Sequence, residues 1–111
     1  MTSHIPNESL GRKTLFLDRD GVININHGYV YQQEKFDFIE GIFTLCQQAQ
    51  RKGYQIIIVT NQSGIARGYY SNSTFKKLSK WIESQFSKKG IVITQTLHCP
   101  HHPKFSHTCT C

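Results

Sequence analysis

Two carboxylates, Asp18 and Asp20, stand two residues apart directly after a short apolar run at residues 13–17. In an extended segment, side chains at positions i and i+2 point to the same side, so both carboxylates can share one site. One can then act as a nucleophile while the other moves a proton, and together they offer oxygen ligands to a hard divalent cation. Gly21 permits a sharp turn after the pair. A solvated turn after a strand is the alternative interpretation of so short a motif.

A second polar loop follows the next apolar run and begins at Thr60. Residues 60–64 (TNQSG) offer hydroxyls, amides and backbone N–H groups on which a phosphate can rest. Two loops of this kind at successive strand ends favour a phosphate site over two unrelated turns.

Cysteine and histidine are concentrated at the C-terminal end, in one C-x-H pair and one C-x-C pair. The pairs are Cys99 with His101, and Cys109 with Cys111. Ligands of these types, this close together, can surround one tetrahedral zinc ion, and thiolates favour zinc over Mg²⁺. His102 and His107 are competing ligands. A His-rich tail with free thiols is the alternative interpretation.

The apolar pattern places these motifs in an alternation of strands and helices. Strands are predicted at residues 13–17, 54–59 and 91–97, and helices at residues 39–52 and 73–88, the second capped by Ser73. This order predicts an α/β sandwich with a parallel sheet and right-handed crossovers. Ligands of such sheets lie beyond the carboxyl ends of the strands. Because Asp18, Thr60 and His98 each follow a predicted strand, we expect the three motifs on one rim.

The 111 residues suit a single domain. We expect residues 1–12 to be a flexible lead, and residues 13–111 to form one partial domain whose zinc loop is residues 98–111. Cys46 falls on the apolar face of the first predicted helix and is expected in the core.

The charge balance favours an anionic partner. Lys and Arg number 13 and Asp and Glu number 7, which gives a net charge of +6; a solvated basic face is the alternative. The polar start and the lack of an apolar stretch near the roughly 18–20 residues of a membrane span predict a cytoplasmic protein without a membrane partner. Its cysteines should then be reduced.

The motifs together resemble those of the haloacid dehalogenase (HAD) phosphatases. Residues 16–22 (FLDRDGV) resemble the first HAD signature and residues 59–61 (VTN) the second. Residues 61–68 (NQSGIARG) are similar to a string typical of the branch that hydrolyses heptose bisphosphate and histidinol phosphate, and residues 27–30 (HGYV) are similar to the substrate loop of the heptose branch. The resemblance extends over residues 13–111 and implies a Rossmann-like, three-layer HAD fold.

The resemblance also implies roles for individual residues. Asp18 would be the nucleophile that forms an aspartyl-phosphate, Asp20 the general acid and base, and Thr60 a donor to the phosphoryl group. Mg²⁺ would be held by Asp18 and the backbone of Asp20. Zinc would be structural. Its implied ligands are Cys99, His101, Cys109 and Cys111. The implied substrate contacts are Asn26, His27, Gly28, Tyr29, Thr60, Asn61, Gln62, Ser63 and Arg67.

The implied substrate is a sugar phosphate, D-glycero-D-manno-heptose 1,7-bisphosphate, which would lose its 7-phosphate during the synthesis of ADP-heptose for the lipopolysaccharide core. Histidinol phosphate is the alternative substrate. A nucleic-acid 3′-phosphatase fits the net charge, but the zinc pairs argue against it, so no nucleic-acid partner is expected. An inactive, zinc-stabilised binding module is the alternative of another class.

Members of this family continue beyond the C-x-C pair with a phosphate-binding lysine and later acidic residues that complete the Mg²⁺ site. This sequence stops at Cys111. The resemblance therefore predicts poor turnover by these residues alone and a first strand with an exposed edge. The full-length form is expected to be a monomer.

Overall fold

A computed structural model describes residues 12–101 of the chain. Strands and helices alternate along it, as the apolar pattern predicts. The elements are β1 (Thr14–Asp18), α1 (Ile42–Arg51), β2 (Gln55–Asn61), α2 (Asn72–Lys88) and β3 (Ile93–Cys99), with a short 3-10 helix at Gln33–Lys35. The three strands are parallel and lie in the order β1-β2-β3. The parallel α/β architecture is therefore confirmed.

Both helices start at residues other than those predicted. The backbone N–H of Ile39 donates to the carbonyl of Ile23 at 2.9 Å, which holds Ile39 outside α1, and the helix begins only at Ile42. The predicted cap of α2, Ser73, is wrong. Ser71 is the cap, because its Oγ accepts the backbone N–H of Thr74 at 3.1 Å.

All three strands extend past their predicted ends. Asp18 pairs with Val59, and Thr60 pairs with His98, so the parallel ladder continues through the polar residues that were expected to follow it. These side chains are therefore held by strand backbone instead of by loops.

One apolar cluster joins both helices to one face of the sheet. Leu17 and Ile58 are neighbours across β1 and β2 and point to the same side. The cluster includes Leu17, Ile23, Val30, Phe36, Ile42, Cys46, Ile56, Ile58, Leu78, Ile82, Phe86 and Ile91. Since α1 and α2 both contribute to it, residues 12–101 supply the sheet and one helical layer of the predicted three-layer sandwich. The expected burial of Cys46 is confirmed, since it is 0% exposed.

β1 is one of the two edge strands of the described sheet, as expected. Its Phe16 points away from the core side and is 56% exposed. None of the helices among the described residues is long and apolar enough to span a membrane.

Two glutamines of α1 bond to the turn between α2 and β3, at the end of the sheet opposite to Thr60. Gln47 Nε2 donates to the carbonyl of Lys89 at 3.0 Å, and Gln50 Nε2 donates to that of Gly90 at 2.8 Å. Gln50 Oε1 also accepts the backbone N–H of Val92 at 2.9 Å. This glutamine clamp fixes the amino-terminal end of β3 against α1.

Candidate active site

The carboxyl ends of the three strands bring the predicted motifs to one rim. Asp18 ends β1, and Thr60 of β2 lies beside His98 of β3. His98 Nε2 lies 3.2 Å from Asn72 Oδ1 at the start of α2. Burial, and then the charge of Lys76, lowers the pKa of His98 below its ordinary value. The imidazole on this rim therefore favours its neutral form.

A cavity of about 390 Å³ opens at this rim. Two loops line it, the one that follows β1 and the one that follows β2. The lining residues are Asp20, Asn26, Gly28, Tyr29, Asn61, Gln62, Ser63 and Tyr70. The structure thus brings six of the nine predicted substrate contacts together around Asp20.

The other three predicted contacts lie beside the cavity. Thr60 is buried beneath it, at 4% exposed. The Arg67 guanidinium carbon lies 5.9 Å from the ring centroid of Tyr29, at the rim. His27 Nε2 is paired with Asp37 Oδ2 at 2.8 Å, on an exposed part of the loop.

A tight turn directly after β1 places Asp20 in the lining of the cavity. The carbonyl of Arg19 accepts the backbone N–H of Ile23 at 2.8 Å, and Gly21 N–H donates to the carbonyl of Asn24 at 2.8 Å. Gly21 adopts a φ of 93°, a left-handed conformation that glycine takes without steric cost.

Three side chains hold the carboxylate of Asp20. Arg19 Nη2 and Asn24 Nδ2 each lie 3.0 Å from Oδ1, and Gln62 Nε2 lies 3.3 Å from Oδ2. Arg19 and Asn24 are 2% and 0% exposed. Arg19 Nη2 also donates to the carbonyl of Val30 at 2.7 Å, so the same guanidinium ties the 26–30 loop to the carboxylate.

Sequence reasoning missed Arg19, Asn24 and Tyr70. Arg19 stands between the two predicted catalytic carboxylates, and a basic residue flanked by two carboxylates is a signal for an ion pair. Asn24 and Tyr70 carry no such signal, because their contacts with Asp20 and Gln62 depend on how the loops fold back.

Tyr70 forms the back wall of the cavity. Its hydroxyl donates to Gln62 Oε1, and its ring stacks on Tyr31 with centroids 5.0 Å apart. Burial raises the pKa of the Tyr70 phenol; Asp20 and Tyr29 add to the rise, and Arg19 opposes it. The hydroxyl is therefore held in its protonated, donating form.

The donor set at the rim fits Mg²⁺, which prefers carboxylate and carbonyl oxygens. The carboxylate of Asp18 is exposed at the end of β1. Asp20 directs its side chain to Arg19, Asn24 and Gln62. Within residues 12–101, no group of three or more His, Cys, Asp or Glu side chains is placed to hold a metal ion.

Two of the four predicted zinc ligands belong to the described residues. Cys99 Sγ lies 4.0 Å from His101 Nδ1, close to the roughly 3.5 Å that separates sulfur and nitrogen ligands of one tetrahedral zinc ion. Zinc binding would need the reduced thiolate of Cys99. Cys109 and Cys111 lie outside the described residues, as do the competing His102 and His107.

Comparison with known proteins finds heptose-bisphosphate phosphatases among the relatives of this chain. The chain is 45% identical over 107 residues to the D-glycero-β-D-manno-heptose-1,7-bisphosphate 7-phosphatase of Haemophilus ducreyi, across 92% of the chain and 59% of that relative. It is 54% identical over 89 residues to the D-glycero-α-D-manno-heptose-1,7-bisphosphate 7-phosphatase of Campylobacter jejuni, across 80% of the chain and 52% of that relative. The chain thus spans little more than half the length of these relatives. No family model matches it.

Solved structures agree with these relatives. The fold matches a crystal structure of D,D-heptose 1,7-bisphosphate phosphatase from B. bronchiseptica complexed with magnesium and phosphate. That match has a TM-score of 0.79 and 26% identity over 87% of this chain and 55% of the other. The enzyme of the same name from Burkholderia thailandensis matches with a TM-score of 0.61 and 28% identity, over 78% of this chain and 51% of the other.

Proposed function

We propose, on the premise that this chain is homologous to the HAD-like heptose 1,7-bisphosphate phosphatases, that it carries the nucleophile and the acid–base group of a sugar-phosphate phosphatase. One observation supports the proposal more than any other. Gln62 Nε2 donates to both Asp20 and Thr60, so a single side chain joins the loop after β1 to the end of β2 beside the cavity.

The reaction would proceed in two displacements. The Asp18 carboxylate attacks phosphorus, the bond to the sugar oxygen breaks, and Asp20 protonates the departing alkoxide. Asp20 then takes a proton from water, which attacks phosphorus and releases inorganic phosphate and the Asp18 carboxylate. Covalent catalysis divides one difficult step into two easier ones. The position of Asp18 at the end of β1 and of Asp20 in the cavity supports this division of roles.

A bound Mg²⁺ ion and the Thr60 hydroxyl would stabilise the negative charge of the phosphoryl group. When bound by Asp18 and the backbone of Asp20, Mg²⁺ would offset the repulsion between a carboxylate and a phosphoryl group. The hydroxyl of Thr60 would donate to the phosphoryl group, since preorganised donors stabilise charge that develops in a transition state. The zinc set Cys99, His101, Cys109 and Cys111 would fix the segment that follows β3.

Heptose 1,7-bisphosphate is the proposed substrate, with loss of the 7-phosphate. The two relatives above are named for opposite anomers, β and α. Tyr29 and Arg67 lie at the rim of the cavity, where the part of the substrate remote from the reacting phosphate would bind. We place the reaction in the synthesis of ADP-heptose.

Phosphate release from a panel of substrates tests the proposal. The panel contains both anomers of heptose 1,7-bisphosphate, histidinol phosphate and a 3′-phosphorylated oligonucleotide, with Mg²⁺ present. The chain is assayed as it stands and also fused to the remaining part of a relative. We expect release from heptose bisphosphate, at a lower rate without the fusion. Preference for histidinol phosphate or the oligonucleotide, or no release from the fusion, would refute the proposal.

Asp18→Asn is the matched control for the chain alone and for the fusion. The substitution keeps the size of the side chain and removes the nucleophilic charge. Because Asp18 is exposed, we expect the folded state to be retained while phosphate release falls to the background rate. Turnover in the folded variant would remove Asp18 from the nucleophile role.

A further inference from the structure

The amide of Gln62 is buried, at 3% exposed, and all of its polar atoms are engaged. Its Nε2 lies 2.7 Å from Thr60 Oγ1 and 3.3 Å from Asp20 Oδ2. On the other side, its Oε1 accepts the hydroxyl of Tyr70. An amide nitrogen carries two hydrogens, so both of its contacts can be donated at the same time.

The orientation of this amide follows from its neighbours. An ionised carboxylate can only accept hydrogen bonds, so the group that faces the ionised form of Asp20 has to be the NH₂ of Gln62. A flipped amide would set Oε1 against the carboxylate, acceptor against acceptor. The hydroxyl of Tyr70 is the donor that keeps Oε1 on the far side.

The orientation of Gln62 also sets the direction of the Thr60 proton. Thr60 Oγ1 accepts from Gln62, so its own hydrogen has to point elsewhere, and a hydroxyl can donate one bond while it accepts another. Thr60 is thereby prepared as a donor at the rim where the phosphoryl group would lie.

Tyr70 is itself held in place by packing. Its ring stacks on Tyr31, with an angle of 15° between the ring planes. On another side it lies against Gly64, where an added β-carbon would meet the Tyr70 ring. A phenol fixed in this way can direct its hydroxyl to Gln62 with little freedom to turn aside.

We propose that Tyr70 is a positioning residue of the active site, which orients the amide of Gln62 and, through it, the carboxylate of Asp20 and the hydroxyl of Thr60. Nothing in the proposal requires Tyr70 to touch the substrate. The positioning role of Tyr70 deepens the proposed phosphatase function, and its catalytic consequence rests on that function. The hydrogen-bond chain itself does not depend on turnover.

The first test needs no activity. Hydrogen exchange of the Gln62 side-chain amide is followed by NMR in the folded chain, with the signal assigned by its loss in Gln62→Leu. We expect Tyr70→Phe, which keeps the ring stack, to accelerate this exchange about fivefold or more, the factor that corresponds to one net hydrogen bond. Tyr54→Phe is the matched control. Tyr54 lies at the amino-terminal end of β2, away from the cavity, and its variant should exchange at the parental rate.

Should Tyr70→Phe not fold, 3-fluorotyrosine at position 70 replaces it. That residue keeps the ring and the hydroxyl and makes the hydroxyl a stronger donor, so exchange should slow. Parental exchange rates in a folded Tyr70→Phe, or in the fluorinated protein, would overturn the proposal.

The second test measures turnover of heptose bisphosphate. Tyr70→Phe should lower kcat about tenfold, with KM within about twofold, because a misdirected donor weakens the transition state more than substrate binding. Tyr54→Phe should leave both constants unchanged. A rise in KM with an unchanged kcat would contradict a positioning role. If the fusion to the remaining part of a relative shows no turnover, the proposed function fails, and the exchange measurement still decides the role of Tyr70.

Discussion

Arg19 and Asp20 are consecutive in the chain, yet their side chains turn back on each other to form an ion pair with a nitrogen–oxygen distance of 3.0 Å. The arginine is almost fully buried and the carboxylate is 24% exposed. The guanidinium therefore contacts the buried side of the Asp20 carboxylate, and the other side of the carboxylate is open to the cavity.

Replacing Arg19 with Met should destabilise the fold. The substitution keeps most of the volume but leaves the Asp20 carboxylate and the Val30 carbonyl without their shared donor. We expect the free energy of unfolding to fall by about 2 kcal/mol, less than for a fully buried pair because Asp20 is partly solvated. Urea denaturation measures the change. Arg51→Met, at the exposed end of α1, should stay within ~0.5 kcal/mol of the parent, and equal losses in the two variants would refute the structural role of Arg19.

Gly64→Ala should disturb the cavity wall. An added β-carbon would collide with the ring of Tyr70 and lie 2.9 Å from Tyr29 Cδ1. Such overpacking costs ~1–3 kcal/mol. The comparison is a double-mutant cycle in denaturant with Tyr70→Leu, which removes the ring. If the collision is the cause, Gly64→Ala should cost much less in the Tyr70→Leu background. An equal loss of unfolding free energy in the parent and in Tyr70→Leu would mean that the main chain at residue 64, and not the Tyr70 ring, is the cause.

Protein purified under reducing conditions without chelators should contain one zinc ion per chain. The ligands would be Cys99, His101, Cys109 and Cys111, and metal analysis combined with thiol alkylation compares the zinc content with the number of reduced thiols. Cys99→Ser should lose the zinc. Cys46→Ala should keep it, because Cys46 belongs to the apolar core. Absence of zinc from the fully reduced protein would refute the site.

Alkaline pH should destabilise the fold through Cys46. Burial raises the pKa of this thiol from 9.0 to about 11. Above pH 9 the unfolded chain loses the proton that the folded chain keeps, so deprotonation favours unfolding. The contribution of the protonated Cys46 thiol to the free energy of unfolding is fully present below pH 9 and is lost as the pH rises to about 11. The loss is on the order of 2–3 kcal/mol.

Denaturation of Cys46→Ala over the same pH range provides the control. The variant starts from a lower free energy of unfolding, because it leaves a small cavity, but it should decline less between pH 9 and pH 11. Parallel curves for parent and variant would show that other groups, such as tyrosines, account for the alkaline loss.

The order of elements could be predicted from the sequence because buried parallel strands and amphipathic helices have distinct apolar periods. Their ends were less accurate, for a physical reason. The ladder between β2 and β3 carries Thr60 and His98 as readily as apolar residues, since backbone hydrogen bonds do not depend on side-chain polarity. The start of α1 was displaced by the tertiary bond from Ile39 to Ile23, which no local pattern encodes.

The site could be predicted only where its residues lie in local sequence motifs. Asp20 and Ser63 could be assigned to the cavity because they lie in recognisable motifs next to strand ends, and Tyr29 because residues 27–30 resemble a known substrate loop. The hydrogen bond between Tyr70 and Gln62 could not, because it depends on how residues 62–70 fold back. Gln62 was predicted as a substrate contact; it lines the cavity, and its amide also bonds to Asp20, Thr60 and Tyr70.

The glutamine clamp at the far end of the sheet has a consequence for protein engineering. Gln47 and Gln50 secure the turn before β3 without help from any residue of the cavity. Libraries that randomise exposed rim positions such as Asn26 and Asn61 would therefore spare this anchor. On the proposed function, a search for altered sugar specificity can accordingly vary the mouth of the cavity and screen for turnover, with few library members lost to misfolding.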